Sequence, residues 1–342
     1  MDEAASFAGL GFTLNAGGAI MRSVRGLPDD YPTKGFLDYN VTYSTDYLQN
    51  NPNRYTQWQE LAAGCADAEP DIYYFNFNGY AGNFSLRDYS NGVYILSKNS
   101  WSVQMLKTDV GNPKRITGWK FTCDDGVVYT FTAAEQATIV DNGIACQTNM
   151  VYNSAWYLTN ITTPNGGRSV NFTYETYSMN FNVFQAETQR IFCYANPGGC
   201  LSTPATSTQV LTKMAYAGQR VKSIISSDNG TTVTFNYLTT RTDEPGTNLK
   251  QLDEIVINNK DNVLFRKFNF TYDYSTGRLT LKSVKRTGTN EPPYLFDYSL
   301  SKLAPRITNG GTAASYGQDY WGFPTLKSTN NSLLPPVWKK DP

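Results

Sequence analysis

Four times in its second half the chain writes one pattern: an apolar strand, a turn, and a second strand that closes on Phe-x-Tyr. The units run Leu158–Ile161 to Phe172-Thr-Tyr174, Val221–Ile224 to Phe235-Asn-Tyr237, Leu252–Ile255 to Phe270-Thr-Tyr272, and Leu281–Val284 to Phe296-Asp-Tyr298. Alternate residues of a strand share a face, so each Phe and Tyr point the same way. One hairpin cannot bury such a face alone, whereas stacked hairpins bury it along a sheet that grows by addition. This predicts an all-β chain of stacked antiparallel hairpins forming an extended, curling sheet with very little helix. An ordinary β-sandwich is the alternative.

The first half uses the same logic with aromatic alternation. Ile72-Tyr-Tyr-Phe-Asn-Phe77 runs through Asn78-Gly79 into Tyr80–Leu86. Asn91-Gly92 precedes Tyr94-Ile-Leu96, and Asp124-Asp-Gly126 precedes Val127–Phe131. Asn and Gly supply the positive φ of tight turns. Only Thr56–Ala66 and Ala133–Thr138 read as helical. No linker interrupts the pattern. The expected organisation is an N-terminal β region over 1–150 with an entry segment, a hairpin region over 151–326 and a connecting tail over 327–342, together one continuous β unit.

The chain has 24 Tyr, 18 Phe and no His. Without His, Ser-His-Asp and Cys-His catalysis and His-held zinc or haem are excluded, while carboxylate chemistry and oxygen-ligated calcium are not. Lys plus Arg balances Asp plus Glu at 29 each, so no basic excess points to nucleic acid as a partner. No apolar run reaches the roughly 20 residues of a membrane-spanning helix. The start lacks a signal-peptide pattern, and core-like residues come at once at Phe7 and Leu10, as in a piece of something longer.

Of five cysteines, Cys193 and Cys200 flank a turn-rich Tyr-Ala-Asn-Pro-Gly-Gly and are the disulfide candidate. Cys123 with Cys146 is a weaker pairing that leaves Cys65 over. Gly9-Leu-Gly11 and Gly17-Gly18 lack the Lys-Ser/Thr of a phosphate loop and read as bends where the backbone passes close to a neighbour. Arg22 and Arg25 read as solvated charge or a structural ion pair. Asp29-Asp30 and Asp124-Asp125 read as turn residues, the latter with calcium as the alternative; neighbouring Asp residues on a strand point apart and make no glycosidase pair. Asp341-Pro342 reads as a boundary, and sequons such as Asn160-Ile-Thr as composition. No catalytic, cofactor or metal residue is assigned. Leu10, Phe12 and Leu14 alternate, so with Ile20 they are expected on a strand docked against the hairpin sheet, with Phe12 in the core.

The segment Gly9–Asp30, the stretch Pro70–Phe84 and the late Asp319-Tyr320-Trp321-Gly322 together resemble the N-terminal shell region of Bacteroidota Rhs/YD-repeat proteins. More distantly they resemble toxin-complex B subunits. The resemblance implies structural roles for Gly9, Gly11, Phe12, Leu14, Gly17, Gly18, Ile20, Asp319, Tyr320, Trp321 and Gly322. It implies a β-shell that encloses or presents a C-terminal effector, export to the outside or the cell surface, and two partners: the remainder of the polypeptide and the export machinery. The chain departs from the pattern in having Phe12 where Trp is usual. It also lacks the long Gly-x-x-x-x-Tyr-Asp array and the self-cleaving C-terminal core. Two other functions fit the same sequence: a surface adhesin whose Tyr and Trp stack on glycans, and a carboxylate-dependent glycoside hydrolase.

Overall fold

The computed structural model describes residues 5–39, 54–87, 92–96, 101–108, 115–190, 193–196, 199–202, 206–244 and 248–298, with backbone alone over 181–211. The all-β expectation holds. Nine strands build the first part: β1 (Gly18–Ser23), β2 (Ile72–Phe77), β3 (Tyr80–Leu86), β4 (Val93–Ile95), β5 (Ser102–Lys107), β6 (Ile116–Thr122), β7 (Val128–Asp141), β8 (Met150–Thr162) and β9 (Ser169–Arg190). A small hairpin, β10 (Cys193–Asn196) with β11 (Gly199–Ser202), stands apart. β12 (Thr206–Ser226), β13 (Thr232–Asn236), β14 (Glu254–Asn258), β15 (Leu264–Asp273), β16 (Thr280–Arg286) and β17 (Tyr294–Leu295) complete the strands of the described residues. All but β10 and β11 join one 15-stranded sheet, and every pairing is antiparallel. Strands from both sides of residue 150 pair directly, β7 with β8.

The sheet forks at β7. The first residues of that strand pair with β6 and its later residues with β12, and it lies against β8 throughout. The fork lets the N-terminal leaf curl over an aromatic core. Tyr73, Phe75 and Phe77 sit at alternate positions of β2 and meet Phe84, Trp119, Phe121, Phe131 and Trp156, all buried. Rings pack edge-on, as Trp119 on Trp156 at 5.7 Å, or offset, as Tyr73 on Phe84 at 5.1 Å; such pairs add about 0.5–1.5 kcal/mol beyond area burial. The β2–β3 hairpin turns on Asn78 and Gly79 with φ of 47° and 81°, the left-handed pair that a two-residue hairpin requires.

The helical reading is half right. Helix α1 spans Arg54–Ala62, and its exit carries Gly64 at φ 69°. Ala133–Thr138 instead lies inside β7. Its helix-forming composition is overridden by pairing on both edges, with Ala137 fully buried between Tyr152 and Tyr216 in register.

The four repeat units are the hairpins β8–β9, β12–β13, β14–β15 and β16–β17. In three of them the terminal tyrosine reaches back to the carbonyl of the unit's first apolar residue. Tyr174 donates to Leu158 O at 2.6 Å, Tyr272 to Leu252 O at 2.7 Å and Tyr298 to Leu281 O at 2.7 Å. This clamp ties both strands of a unit across its face. In the second unit Tyr237 has no partner for its buried hydroxyl among the described residues; the Arg220 guanidinium lies over its ring at 4.4 Å instead. Tyr272→Phe should therefore cost about 1 kcal/mol in denaturant unfolding, the net worth of a buried hydrogen bond, while Tyr237→Phe should cost nothing or stabilise. Equal losses would show that the clamp contributes nothing of its own.

Candidate functional site

The entry segment is the seam of the molecule. Residues 5–17 form a turn and an unpaired run, not the expected strand; ladder pairing begins only at Gly18. The docking on the hairpins is nonetheless direct. Leu252 N donates to Phe7 O at 2.9 Å, Leu10 N to Leu279 O at 2.8 Å, and Arg241 Nη1 to Ala5 O at 2.8 Å. Phe7 packs edge-on against Tyr177 at 4.8 Å and Tyr237 at 5.7 Å. Phe7, Leu14 and Ala16 thus complete the small second core of Val221, Phe235, Tyr237 and Leu252, while Ile20 is fully buried in the aromatic core.

The glycines show why the segment is written as it is. A Cβ at Gly9 would sit 3.0 Å from Leu281 N, and one at Gly18 would sit 2.4 Å from Phe77 Cβ, both at positive φ. These are the close backbone approaches that only glycine allows. Gly17 lies under the Phe172 ring; Gly11 is an exposed turn residue with no neighbour at its Cβ position. Phe12 is half-buried, not core, with its ring 5.2 Å from Phe296. The run 11–16 does alternate between exposed and partly buried positions; the fully buried anchor is Ile20, while Phe7, partly buried like Phe12, packs against the second core. Asp319, Tyr320, Trp321 and Gly322 lie outside the described residues.

Beyond β1 the chain delivers Arg22 into a buried charged node. Arg22 Nε donates to Asp71 Oδ2 at 2.6 Å and Nη1 to Asp30 Oδ1 at 2.7 Å. Tyr73 Oη donates to Asp29 Oδ2 at 2.8 Å, and the backbone amides of Asp29 and Asp71 each donate to the other's carboxylate at 3.0 and 2.9 Å. Ile116 N caps Asp30 Oδ2 at 2.8 Å. Adjacent Asp29 and Asp30 both face inward, because they sit on a turn and not on a strand. Two carboxylates, Asp30 and Asp71, therefore hold one guanidinium, and Asp29 lies close enough to feel its charge. Burial, with repulsion from Asp71 second, pushes the Asp29 carboxyl up to about 7; burial also raises Asp71. Asp67, on the same stretch, is pushed up to about 6, mainly by burial. The geometry is that of a fastener: every oxygen of Asp29, Asp30 and Asp71 has a donor. Arg25, in contrast, is exposed and pairs with Glu69. No local signal marks this node, since Arg22 and Asp71 are 49 residues apart.

The described disulfide is Cys65–Cys146, with Cα atoms 5.5 Å apart and a sequence separation of 81. It corrects the Cys123–Cys146 pairing: Cys123 is a buried free thiol, pushed up to about 11 by burial. Turn chemistry could not find this pair, because Cys65 and Cys146 are brought together by the turn after α1 meeting the β7–β8 connection, where Gln147 Nε2 also donates to Gly64 O at 2.7 Å. Cys193 and Cys200 face Ser202 and Ala195 in the β10–β11 register, and their side chains lie outside the described residues. Asp124 and Asp125 are exposed turn residues, with Asp125 Oδ1 accepting from Val127 N at 2.9 Å. Among the described residues no cluster of three or more metal-ligating side chains gathers, and no helix is long and apolar enough to cross a membrane.

No protein-family model matches the chain, and no curated protein matches it. Among solved structures it is similar to the crystal structure of TcdB2-TccC3, with a TM-score of 0.41 and 12% identity, covering 85% of this chain and 14% of that one.

This geometry sets two expected outcomes. Ile20→Ala should cost about 2–5 kcal/mol as a fully buried deletion, and Phe12→Ala clearly less; equal losses in chemical denaturation would contradict the placement. The second concerns pH. The unfolded chain releases the Asp29 proton near the ordinary 3.8, the folded chain only near 7. Between those values the folded state holds the extra proton, so stability is greatest at the acid end of the window and falls as pH rises through it; Asp67 adds the same sign. Asp29→Asn should flatten the decline of melting temperature between pH 4 and 7. Parallel curves for the two proteins would show that Asp29 is not its source.

Proposed function

We propose that the chain is a structural shell or scaffold segment of a secreted or cell-surface Rhs/YD-type polypeptide. In this reading it is itself non-catalytic and serves to enclose or present a C-terminal effector. The observation that carries this reading is the continuous antiparallel sheet, extended unit by unit with a repeated tyrosine clamp as far as β17, the last strand among the described residues. Such a sheet is built to be lengthened: nothing in the unit depends on its position in the series except its neighbours. The entry segment supports the same reading, since it laces the first core to the last hairpins and so braces the curl.

The export half of the proposal is supported by Cys65–Cys146, a long-range bridge of the kind that persists in oxidising compartments. Its partners are then the remainder of its own polypeptide and the machinery that exports it. The experiment is co-expression of residues 1–342 with the C-terminal remainder as a separate chain, then affinity capture, alongside a glycan array and a non-reduced digest of exported material. A stable complex, a silent array and a linked Cys65–Cys146 peptide are expected. Glycan binding lost on substitution of a single aromatic residue, with no complex formed, would replace the shell with an adhesin; free Cys65 and Cys146 thiols in exported protein would remove the compartment argument.

A further inference from the structure

In β7 the sheet holds a carboxylate that forms no ion pair among the described residues. Glu135 lies in β7, and its neighbours across the strands are small: Ala155 in register on β8, and Gly218 on β12, one residue past the Ala217–Gln136 pair. Ala137, two residues on and so on the same face, is also small. Tyrosines stand around this shallow floor. Tyr152 and Tyr216 flank Ala137 in register, Tyr157 pairs with Ala133, and the Tyr177 ring lies across Gly218, where a Cβ would come 2.3 Å from it. Glu135 Oε1 accepts from Ser154 Oγ at 2.9 Å and Oε2 from Tyr157 Oη at 3.2 Å.

Four tyrosines feel this carboxylate: burial foremost, with the Glu135 charge adding, raises Tyr152, Tyr157, Tyr177 and Tyr216 above the ordinary phenol value. Burial raises Glu135 itself, opposed only by its two hydroxyl donors. Among the described residues no Lys or Arg forms an ion pair with it. The contrast with other buried carboxylates is direct. Asp30 and Asp71 hold Arg22, and Asp243 holds Arg241 at 2.8 Å. A largely buried charge without a counterion is costly, and proteins ordinarily pair it.

We propose that Glu135 and the surrounding tyrosines form a recognition site for an alkylammonium group, a lysine-type side chain presented by another polypeptide. The chemistry is complementary at each point. The carboxylate supplies the counter-charge, and aromatic faces attract a cation at short range, more strongly as water is excluded. The residues in register around it are small, Ala155 beside Glu135 and Ala133 beside Tyr157, and Phe7 of the entry segment packs edge-on against Tyr177. A neutral sugar would stack on the same rings but would not need the charge, which is what separates the two ligands. The proposal does not rest on the shell reading.

The test is calorimetric titration of the full chain with N-acetyl-lysine methylamide, beside its uncharged isostere N-acetyl-norleucine methylamide and the neutral disaccharide maltose at equal ionic strength. Binding of the lysine probe alone is expected, weakened at least roughly tenfold, about 1.4 kcal/mol, in Glu135→Gln. Melting temperature is the second readout. Removing an uncompensated charge should leave Glu135→Gln as stable as the parent or more so, whereas a purely structural carboxylate would leave it less stable. Tyr157→Phe keeps the ring and the carboxylate and should retain most of the binding. Equal binding of lysine and norleucine probes, binding of maltose only, or a destabilised Glu135→Gln with unchanged lysine affinity overturns the proposal.

Discussion

One guanidinium, that of Arg22, is the point at which the N-terminal leaf is fastened. It leaves β1, meets the turn carrying Asp29 and Asp30 and the stretch carrying Asp71, and reaches toward the Asn153 carbonyl of β8 at 3.5 Å, while Ile116 of β6 caps Asp30. Segments as far apart in sequence as β1 and β8 thus meet at one charge. Such a node adds little net stability, because desolvation offsets the attraction, but removal of any partner strands a buried charge. What it fixes is arrangement: the aromatic core beneath has many rings of similar size, and Tyr73 belongs to both, stacking on Phe84 while its hydroxyl holds Asp29. A core of interchangeable rings is positioned by a polar contact that is not interchangeable.

The second half uses a different device for the same end. There the sheet is thin, and alternation alone would leave each hairpin free to slip by two residues. The tyrosine clamp opposes this, because within its own unit the phenol is bonded to the carbonyl of a single residue. The entry segment meets the second, third and fourth units, and in the second, which lacks the clamp, Phe7 and Arg220 pack around Tyr237.

Much of this was written locally. The Phe-x-Tyr repeats, the Asn78-Gly79 turn and the alternation of Tyr73, Phe75 and Phe77 arise from the period-2 geometry of strands and the positive φ of Asn and Gly, which act within a few residues. So do the demands at Gly9 and Gly18, legible as glycine but not as the particular backbone each one meets. Local reasoning failed where longer-range contacts decide. Ala133–Thr138 has helical composition and is a strand because two neighbours claim its edges. Phe12 looks like core in a run of alternating apolar residues, yet Ile20 carries the burial, because the entry segment turns before it extends.

The sequence by itself determined the class of structure, the units of its sheet and the exclusion of histidine chemistry, since these depend on residue type and on spacing along the chain. Only the tertiary structure decided that Arg22 meets Asp71, that Cys65 meets Cys146 and that four tyrosines surround Glu135. Each of these joins residues whose separation in sequence carries no information about their distance in space; the fork at β7 and the docking of the entry segment set that distance, and both exist only once the sheet has closed on its core.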